Sequence, residues 1–311
     1  MSRSDRSFNV LAERVFYQPT GSDRLLSAAL APLGWLYGSG MWLRRRLAKR
    51  ESFGMPIISV GNLVVGGSGK TPFVIALASR YEKVWIVSRG YGRRSRGLVE
   101  VSREGEIRAP VEASGDEAME MARSLPRASV VVCEDRREGI RYAREAGAEL
   151  ILLDDGFNRV EIEKFEILLE PESLPNRRVL PAGPFREFPS TARQADLVLR
   201  EGRDYRRIVT VEDPGERMVL ATSIARPERL DPWLPEGIVA RHLLPDHGWF
   251  DAEELRILLQ RHRADSLLVT GKDAVKMEAF QLPLSVMKLQ LEIDSAVFAA
   301  TDRYLKEYHA T

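Results

Sequence analysis

The sequence holds one cysteine, Cys133, and four histidines in 311 residues. A single thiol excludes an intramolecular disulfide and fits a reducing compartment. His242, His247, His262 and His309 are too scattered to build a zinc site of the usual ligand spacing. A surplus of one charge is also missing, since 46 Lys and Arg face 45 Asp and Glu. No global field therefore marks a nucleic-acid binder, and any basic surface must be local. The chain lacks a clean hydrocarbon span as well. Its best candidate, residues 25–43, is uncharged but interrupted by Pro32, Gly34, Gly38 and Gly40. What remains is a chain long enough, and apolar enough at 44%, for two α/β domains or one large one.

The most informative stretch is 56–72, PIISVGNLVVGGSGKTP. An apolar β-branched run leads into a glycine-rich turn, and Lys70 and Thr71 open a helix. Backbone N–H groups at such a turn bind anions, the lysine adds a point charge for phosphate, and the hydroxyl suits magnesium. Gly66, Gly67, Ser68, Gly69, Lys70 and Thr71 are thus the expected nucleotide-binding residues. A strict P-loop has glycine six residues before the lysine, where Val64 stands here.

Residues 25–43 run straight into Arg44, Arg45, Arg46, Lys49 and Arg50. The long polar lead is wrong for a signal peptide, and none is expected. The combination reads as an interfacial segment: Trp35, Tyr37 and Trp42 at headgroup depth, leucines in the acyl boundary, arginines on anionic lipid. A helix packed on the protein's own core is the competing reading.

Downstream, buried runs at 57–60, 84–87, 129–132, 150–153 and 165–169 alternate with helical stretches at 73–79 and 137–146, which predicts a parallel α/β sheet. Loops at the carboxyl ends of such strands line the ligand crevice, so Arg89 of SRGYGRR becomes a candidate substrate contact. The strand at 150–153 ends in Asp154 and Asp155, where a P-loop enzyme places its metal-ordering carboxylate. LPAGPFRE at 180–187 offers an Arg186–Glu187 pair for an anionic substrate. Asp116 and Glu117 open a helix after Gly115, and on position alone Asp116 reads as a cap. His247 follows Asp246 before a helix at 253–260, where it could orient another acid. A change of layer is expected after Ala195, with a soft boundary at 188–196.

Taken together, VGNLVVGGSGKTP, VSRGYG, GDE, LDDGF, LPAGPFRE, PDH and KDAVK resemble, in order, the tetraacyldisaccharide 4'-kinase family, from the WLY segment to the TGKDAVK helix. The resemblance implies a P-loop NTPase-like α/β/α sandwich, a second smaller α/β domain and an N-terminal amphipathic helix. It divides the chain into a membrane-associating segment (1–54), a nucleotide-binding kinase domain (55–190) and a C-terminal α/β domain (191–311). It also implies transfer of the ATP γ-phosphate to the 4'-hydroxyl of tetraacyldisaccharide 1-phosphate, with Mg2+, at the cytoplasmic face of the inner membrane. Neither nucleic acid nor an obligate protein partner enters. Lys70 would hold phosphate; Thr71, Asp154, Asp155 and Glu117 would be metal ligands; Asp116, assisted by His247, would be the base on the sugar hydroxyl, which reverses the cap reading. Arg89, Arg186, Glu187 and Arg159 are the substrate candidates. The chain departs from the family at Ala118, where proline is common, at Asn158-Arg159 in place of Gln-His, in TGKD for TEKD, and in a short stretch between Glu187 and Asp246. The rival readings are a membrane-associated P-loop ATPase or GTPase switch and a non-enzymatic membrane-binding module.

Overall fold

The apolar runs that read as strands are strands whose two faces are both covered, as continuous Val, Ile and Leu sequences require. The computed structural model describes residues 12, 14–66, 69–171 and 174–310. Gly67 and Ser68 of the expected phosphate loop lie outside the described residues, as do 1–11 and 13 of the expected membrane-associating segment. Helices α1 (Gly21–Ala29) and α2 (Ala31–Leu47) come first. They are followed by β1 (Ile57–Gly61), α3 (Lys70–Ala78) and β2 (Val84–Ser88). A hairpin of β3 (Val99–Arg103) and β4 (Glu106–Ile107) leads to α4 (Val111–Ser114) and α5 (Asp116–Ser124). Next are β5 (Ser129–Val132), α6 (Arg136–Glu145), β6 (Leu150–Asp154) and β7 (Phe165–Glu170). Strands β8 (Leu197–Arg200), β9 (Tyr205–Glu212), β10 (Met218–Thr222) and β11 (Ile238–Leu243) precede α7 (Ala252–His262). The chain closes with β12 (Ser266–Thr270), α8 (Gly271–Met277), β13 (Leu284–Ile293) and α9 (Ser295–Ala310).

These elements group into two compact units, one of Met1–Lys70 with Asp155–Tyr205, the other of Thr71–Asp154 with Arg206–Thr311. The division differs from the contiguous one expected from the sequence. A parallel sheet collects strands from separated stretches, so unit boundaries inside Lys70-Thr71 and Asp154-Asp155 leave no compositional mark.

In the first unit β7 pairs in parallel with β1 on one side and β8 on the other. The expected change of layer after Ala195 therefore does not occur at β8, and the second sheet begins only with β9. Asp196 anchors β8 to its neighbour by accepting the Glu166 N–H at 2.7 Å. The helices of this unit carry their apolar side chains in an unusual direction. Gly34 and Gly38 face inward, so close that a Cβ on either would lie 2.7 Å from the Val179 carbonyl or the Phe188 ring. Leu25, Leu33, Trp35, Leu36, Trp42 and Leu47 stay exposed. Instead of one amphipathic segment there are two helices meeting at Leu30, and the face they lay on the protein is made of small and polar residues, Ser27 and Asp23 among them. Among the described residues no helix is long and apolar enough to cross a membrane.

The second unit contains strands in the order β4-β3-β5-β2-β6 and a five-stranded sheet ordered β11-β10-β12-β13-β9. Strand β2 is parallel to both β5 and β6, which brings Ser88 to Val132 and Val87 to Leu153 and aligns the carboxyl ends. The β3–β4 turn has Glu104 and Gly105 both at positive φ, as a tight two-residue hairpin turn requires. Phe250, Leu255, Leu259, Leu267, Val269 and Met277 build the core beneath the second sheet, and α8 packs on α5. That helix contact positions the charged cluster described below.

Candidate active site

In the first unit Asn62 follows β1 toward the glycine-rich turn, and Lys70 opens α3. Gly66 and Gly69 have φ of 90° and 73°, a backbone that L side chains rarely adopt. Val64, which stands where a strict P-loop has glycine, is strand-like here. It bridges Phe185, while the Val65 N–H donates to the Pro184 carbonyl at 2.9 Å and the Arg186 N–H to the Leu63 carbonyl at 2.7 Å. Its side chain fills a cluster with Phe157, Leu168 and Phe185. The LPAGPFRE loop thus clamps the entry to the glycine-rich turn, and a buried valine serves that contact better than glycine.

Lys70 Nζ lies 3.3 Å from Asn62 Oδ1 and 3.6 Å from the Asp155 carboxylate. Arg186 Nη1 reaches the same carboxylate at 3.1 Å. Asp155 occupies the left-handed region at φ 52°, which is uncommon for a residue other than glycine. Gly61 is held against the LDDGF loop, since a Cβ there would sit 2.5 Å from Phe157 Cβ. The structure therefore brings Lys70, Asp155 and Arg186 together, and it separates Arg186 from Glu187. Glu187 is buried and pairs with Arg45 at 2.9 Å, while Arg45 also donates to the Phe157 carbonyl and lies over its ring. Arg45 is accordingly turned into the protein rather than toward lipid. Arg159 lies 4.0 Å from Glu161.

In the second unit Asp154 ends β6, buried, and accepts the Ser88 hydroxyl at 2.9 Å. Thr71 is half-buried in the first turn of α3, and Arg89 is exposed just past β2. Among the described residues no three His, Cys, Asp or Glu side chains converge as a metal cage. Magnesium seldom needs one, because it takes one or two carboxylates and completes its shell with water and substrate phosphate. The expected metal-ligating residues of this unit, Thr71, Glu117 and Asp154, offer only oxygen donors, which suit that hard cation and not zinc.

The most charged cluster of the second unit forms around α5. Gly115, at φ 85°, passes so close to the Tyr91 carbonyl that a Cβ would lie 2.8 Å from it, and Asp116 opens the helix immediately after. Asp116 is the first helical residue and not the cap, which is Gly115, and its Oδ1 accepts the Glu117 N–H at 3.0 Å. Its two oxygens also lie 2.9 and 3.0 Å from His247 Nδ1. His247 is itself left-handed, φ 58°, and its N–H donates to the Ser223 carbonyl at 3.0 Å. Tyr91 packs on the imidazole with ring centroids 4.9 Å apart.

Two lysines complete the cluster. Lys276 Nζ is 3.0 Å and Lys272 Nζ 3.8 Å from Asp116 Oδ2. Lys272 also lies 3.6 Å from Glu117 and 3.3 Å from Asp246. Burial alone would lift the Asp116 carboxyl, but the His247 hydrogen bond and the two ammonium charges outweigh it and hold the group well below the usual carboxylate range. Burial likewise opposes the charge of Lys272, and the carboxylates of Asp116, Glu117 and Asp246 more than restore it. Sequence reasoning paired Asp116 with His247 but gave neither lysine a role. The available signal was their i, i+4 spacing in KDAVK, which sets both on one face of a helix.

The sequence profile of the family described as Tetraacyldisaccharide-1-P 4'-kinase matches residues 26–219 and 207–306. The tetraacyldisaccharide 4'-kinase of Helicobacter pylori (strain HPAG1) is 44% identical over 307 residues, covering 98% of this chain and 97% of that protein. The Aliarcobacter butzleri protein of the same name is 40% identical over 305 residues, covering 95% and 97%. A crystal structure of Aquifex aeolicus LpxK, described as an "apo" form in complex with ATP, superposes with a TM-score of 0.76 at 28% identity, covering 90% of this chain and 98% of that one. Similar along nearly its whole length to these proteins, the chain belongs to the tetraacyldisaccharide 4'-kinase family, the ATP-dependent kinases of lipid A biosynthesis.

Proposed function

We propose that in this kinase Lys70 and the backbone of Gly66–Thr71 hold the phosphates of ATP while Asp116 and His247 take the proton from the 4'-hydroxyl of tetraacyldisaccharide 1-phosphate. The observation that carries this reading is the 2.9 Å contact between His247 Nδ1 and a buried Asp116 flanked by two lysines. Phosphoryl transfer asks the protein for positioning and charge neutralisation more than for covalent chemistry. An ionised carboxylate backed by imidazole can accept the hydroxyl proton as the oxygen attacks the γ-phosphorus and the β–γ bridging bond breaks. Asp154 and Thr71, with Asp155 and Glu117 as further oxygen donors, would hold Mg2+, which supplies charge neutralisation on the transferred phosphoryl group. Arg186 is available to phosphate through its exchange with Asp155, and Arg89 and Arg159 offer further cations for substrate. Glu187 is engaged by Arg45 and serves the loop rather than the substrate.

A second reading concerns which atom takes the proton. Asp116 meets His247 at Nδ1, leaving Nε2 on the far side of the ring, 3.5 Å from Lys272 Nζ. That is the geometry of a carboxylate orienting an imidazole base.

The exposed apolar face of α1 and α2 supports docking at the cytoplasmic face of the inner membrane, where the lipid acceptor lies. Arg44 pairs with Glu161 at 3.6 Å and donates to the Asn158 carbonyl, which leaves Arg46, Lys49 and Arg50 as the cations offered to anionic headgroups.

The test is transfer of labelled phosphate from ATP to the disaccharide lipid by purified protein, with and without magnesium. Lys70→Ala should abolish it and Asp116→Asn should leave only a small residual rate, and near-normal turnover in Asp116→Asn removes the acid–base reading. A larger loss in His247→Ala than in Asp116→Asn favours Nε2 as the base.

A further inference from the structure

Lys276 is buried, its side chain 2% exposed, and a buried ammonium is tolerated only when its charge and its three N–H donors are all met. It has three acceptors in reach. Asp116 Oδ2 lies at 3.0 Å, Ser223 Oγ at 2.8 Å and the Gly248 carbonyl at 3.1 Å. These belong to three separate parts of the second unit: the start of α5, the end of β10 and the loop that carries His247. One cation therefore ties the carboxylate of the acid–base pair to the backbone beside its imidazole.

The ammonium is itself held from behind. Ser223 Oγ donates to Asp273 Oδ1 at 2.6 Å, which leaves its lone pairs toward Lys276. Asp273, fully buried, also receives the Thr222 and Thr270 hydroxyls at 2.7 and 2.8 Å and the Ser223 N–H at 3.1 Å. Four donors converge on its two oxygens, and its Oδ1 lies 3.8 Å from Lys276 Nζ. Lys272, one turn earlier on the same helix, is more exposed and spreads its contacts over Asp116, Glu117 and Asp246. The two lysines are thus not equivalent.

We infer that Lys276 is a positioning residue of this kinase: anchored by Ser223 and Asp273, it holds Asp116 and the His247 loop in register so that both meet the acceptor hydroxyl. The inference rests on the reading of Asp116 and His247 as the acid–base pair. Lys276 touches neither reactant and acts only through that pair. Its removal should therefore be felt in the chemical step and not in ATP binding, for which Lys70 is responsible.

The experiment is a kinetic double-mutant cycle on full-length protein with ATP and the disaccharide lipid, rates normalised to folded protein. Lys276→Met should lower kcat by about 100-fold, the loss expected for a displacement of about 1 Å in a reacting group, with the KM for ATP within about twofold of wild type. In the Asp116→Asn background the same substitution should change the residual kcat by less than about threefold, because the residue through which it acts is already disabled. A merely structural lysine would lower the rate by the same factor in both backgrounds, and that result, or wild-type kcat in folded Lys276→Met, overturns the inference. Should Lys276→Met not fold, Ser223→Ala keeps both charges and removes one anchor. It should lower kcat by a smaller factor at unchanged ATP KM, and an unaltered kcat overturns the inference equally. Near-normal turnover in Asp116→Asn alone would instead remove the acid–base reading on which it stands.

Discussion

Glu187→Ala removes one partner of a buried ion pair and leaves the other in place. Arg45 and Glu187 are 6% and 3% exposed, with Nε–Oε2 at 2.9 Å and Nη2–Oε1 at 3.0 Å, so the contact is bidentate. Stranding one member of such a pair costs about 3–5 kcal/mol. Arg45 retains the Phe157 carbonyl at 3.0 Å and the Phe157 ring at 4.6 Å, which places the expected loss at the lower end, about 3 kcal/mol. For a unit of this size that is a fall in Tm of about 10 °C. Scanning calorimetry on the purified variant measures it. Replacing both partners, Arg45→Met with Glu187→Leu, should restore most of the loss, because an apolar pair of similar volume need not desolvate charge. A Tm within about 1 °C of wild type for Glu187→Ala would refute the account and return Glu187 to the substrate candidates.

Two further outcomes follow from the exposed face and from a displaced titration. Leu25, Leu36 and Leu47 are 74%, 73% and 70% exposed, so changing all three to Glu should leave the Tm nearly unchanged and release the protein from anionic vesicles in a flotation assay; retained binding removes the docking face. Burial, and then the negative charge of Glu117, lift the Glu120 carboxyl from an ordinary 4.5 to about 8, against the pull of Lys272. A raised folded value makes this group's contribution to stability full below pH 4.5 and lost as pH rises through 8. Glu120→Gln, neutral throughout, should therefore gain on wild type in urea midpoint between pH 4.5 and pH 8.5, and a pH-independent difference sinks the assignment.

Most strands and helices were legible because buried parallel strands carry unbroken Val, Ile and Leu runs and their helices begin at recognisable turns. Thus 129–132 and 150–153 emerged at β5 and β6 with little change of bounds, and the LDDGF turn with them. Strand β8 was legible as a strand but not as a member of the first sheet, since pairing partners far apart in sequence leave no trace in a short apolar run. The helices at 21–47 showed the opposite limit. Their composition announced an interface, but only packing revealed that the glycines face inward and that Arg45 leaves the basic cluster to meet Glu187.

What the sequence determined by itself is local chemistry: a glycine-rich turn ending in Lys70 and Thr71, paired carboxylates at a strand end, and a set of motifs specific enough to name a family. Tertiary structure alone decided what surrounds that chemistry. The motif set paired Asp116 with His247 across 131 positions, but no local pattern could say that Lys276 would be buried between Asp116 and Asp273. Residue type and spacing are read along the chain, whereas the ionic state and aim of a buried group depend on which distant charges and dipoles the fold packs around it.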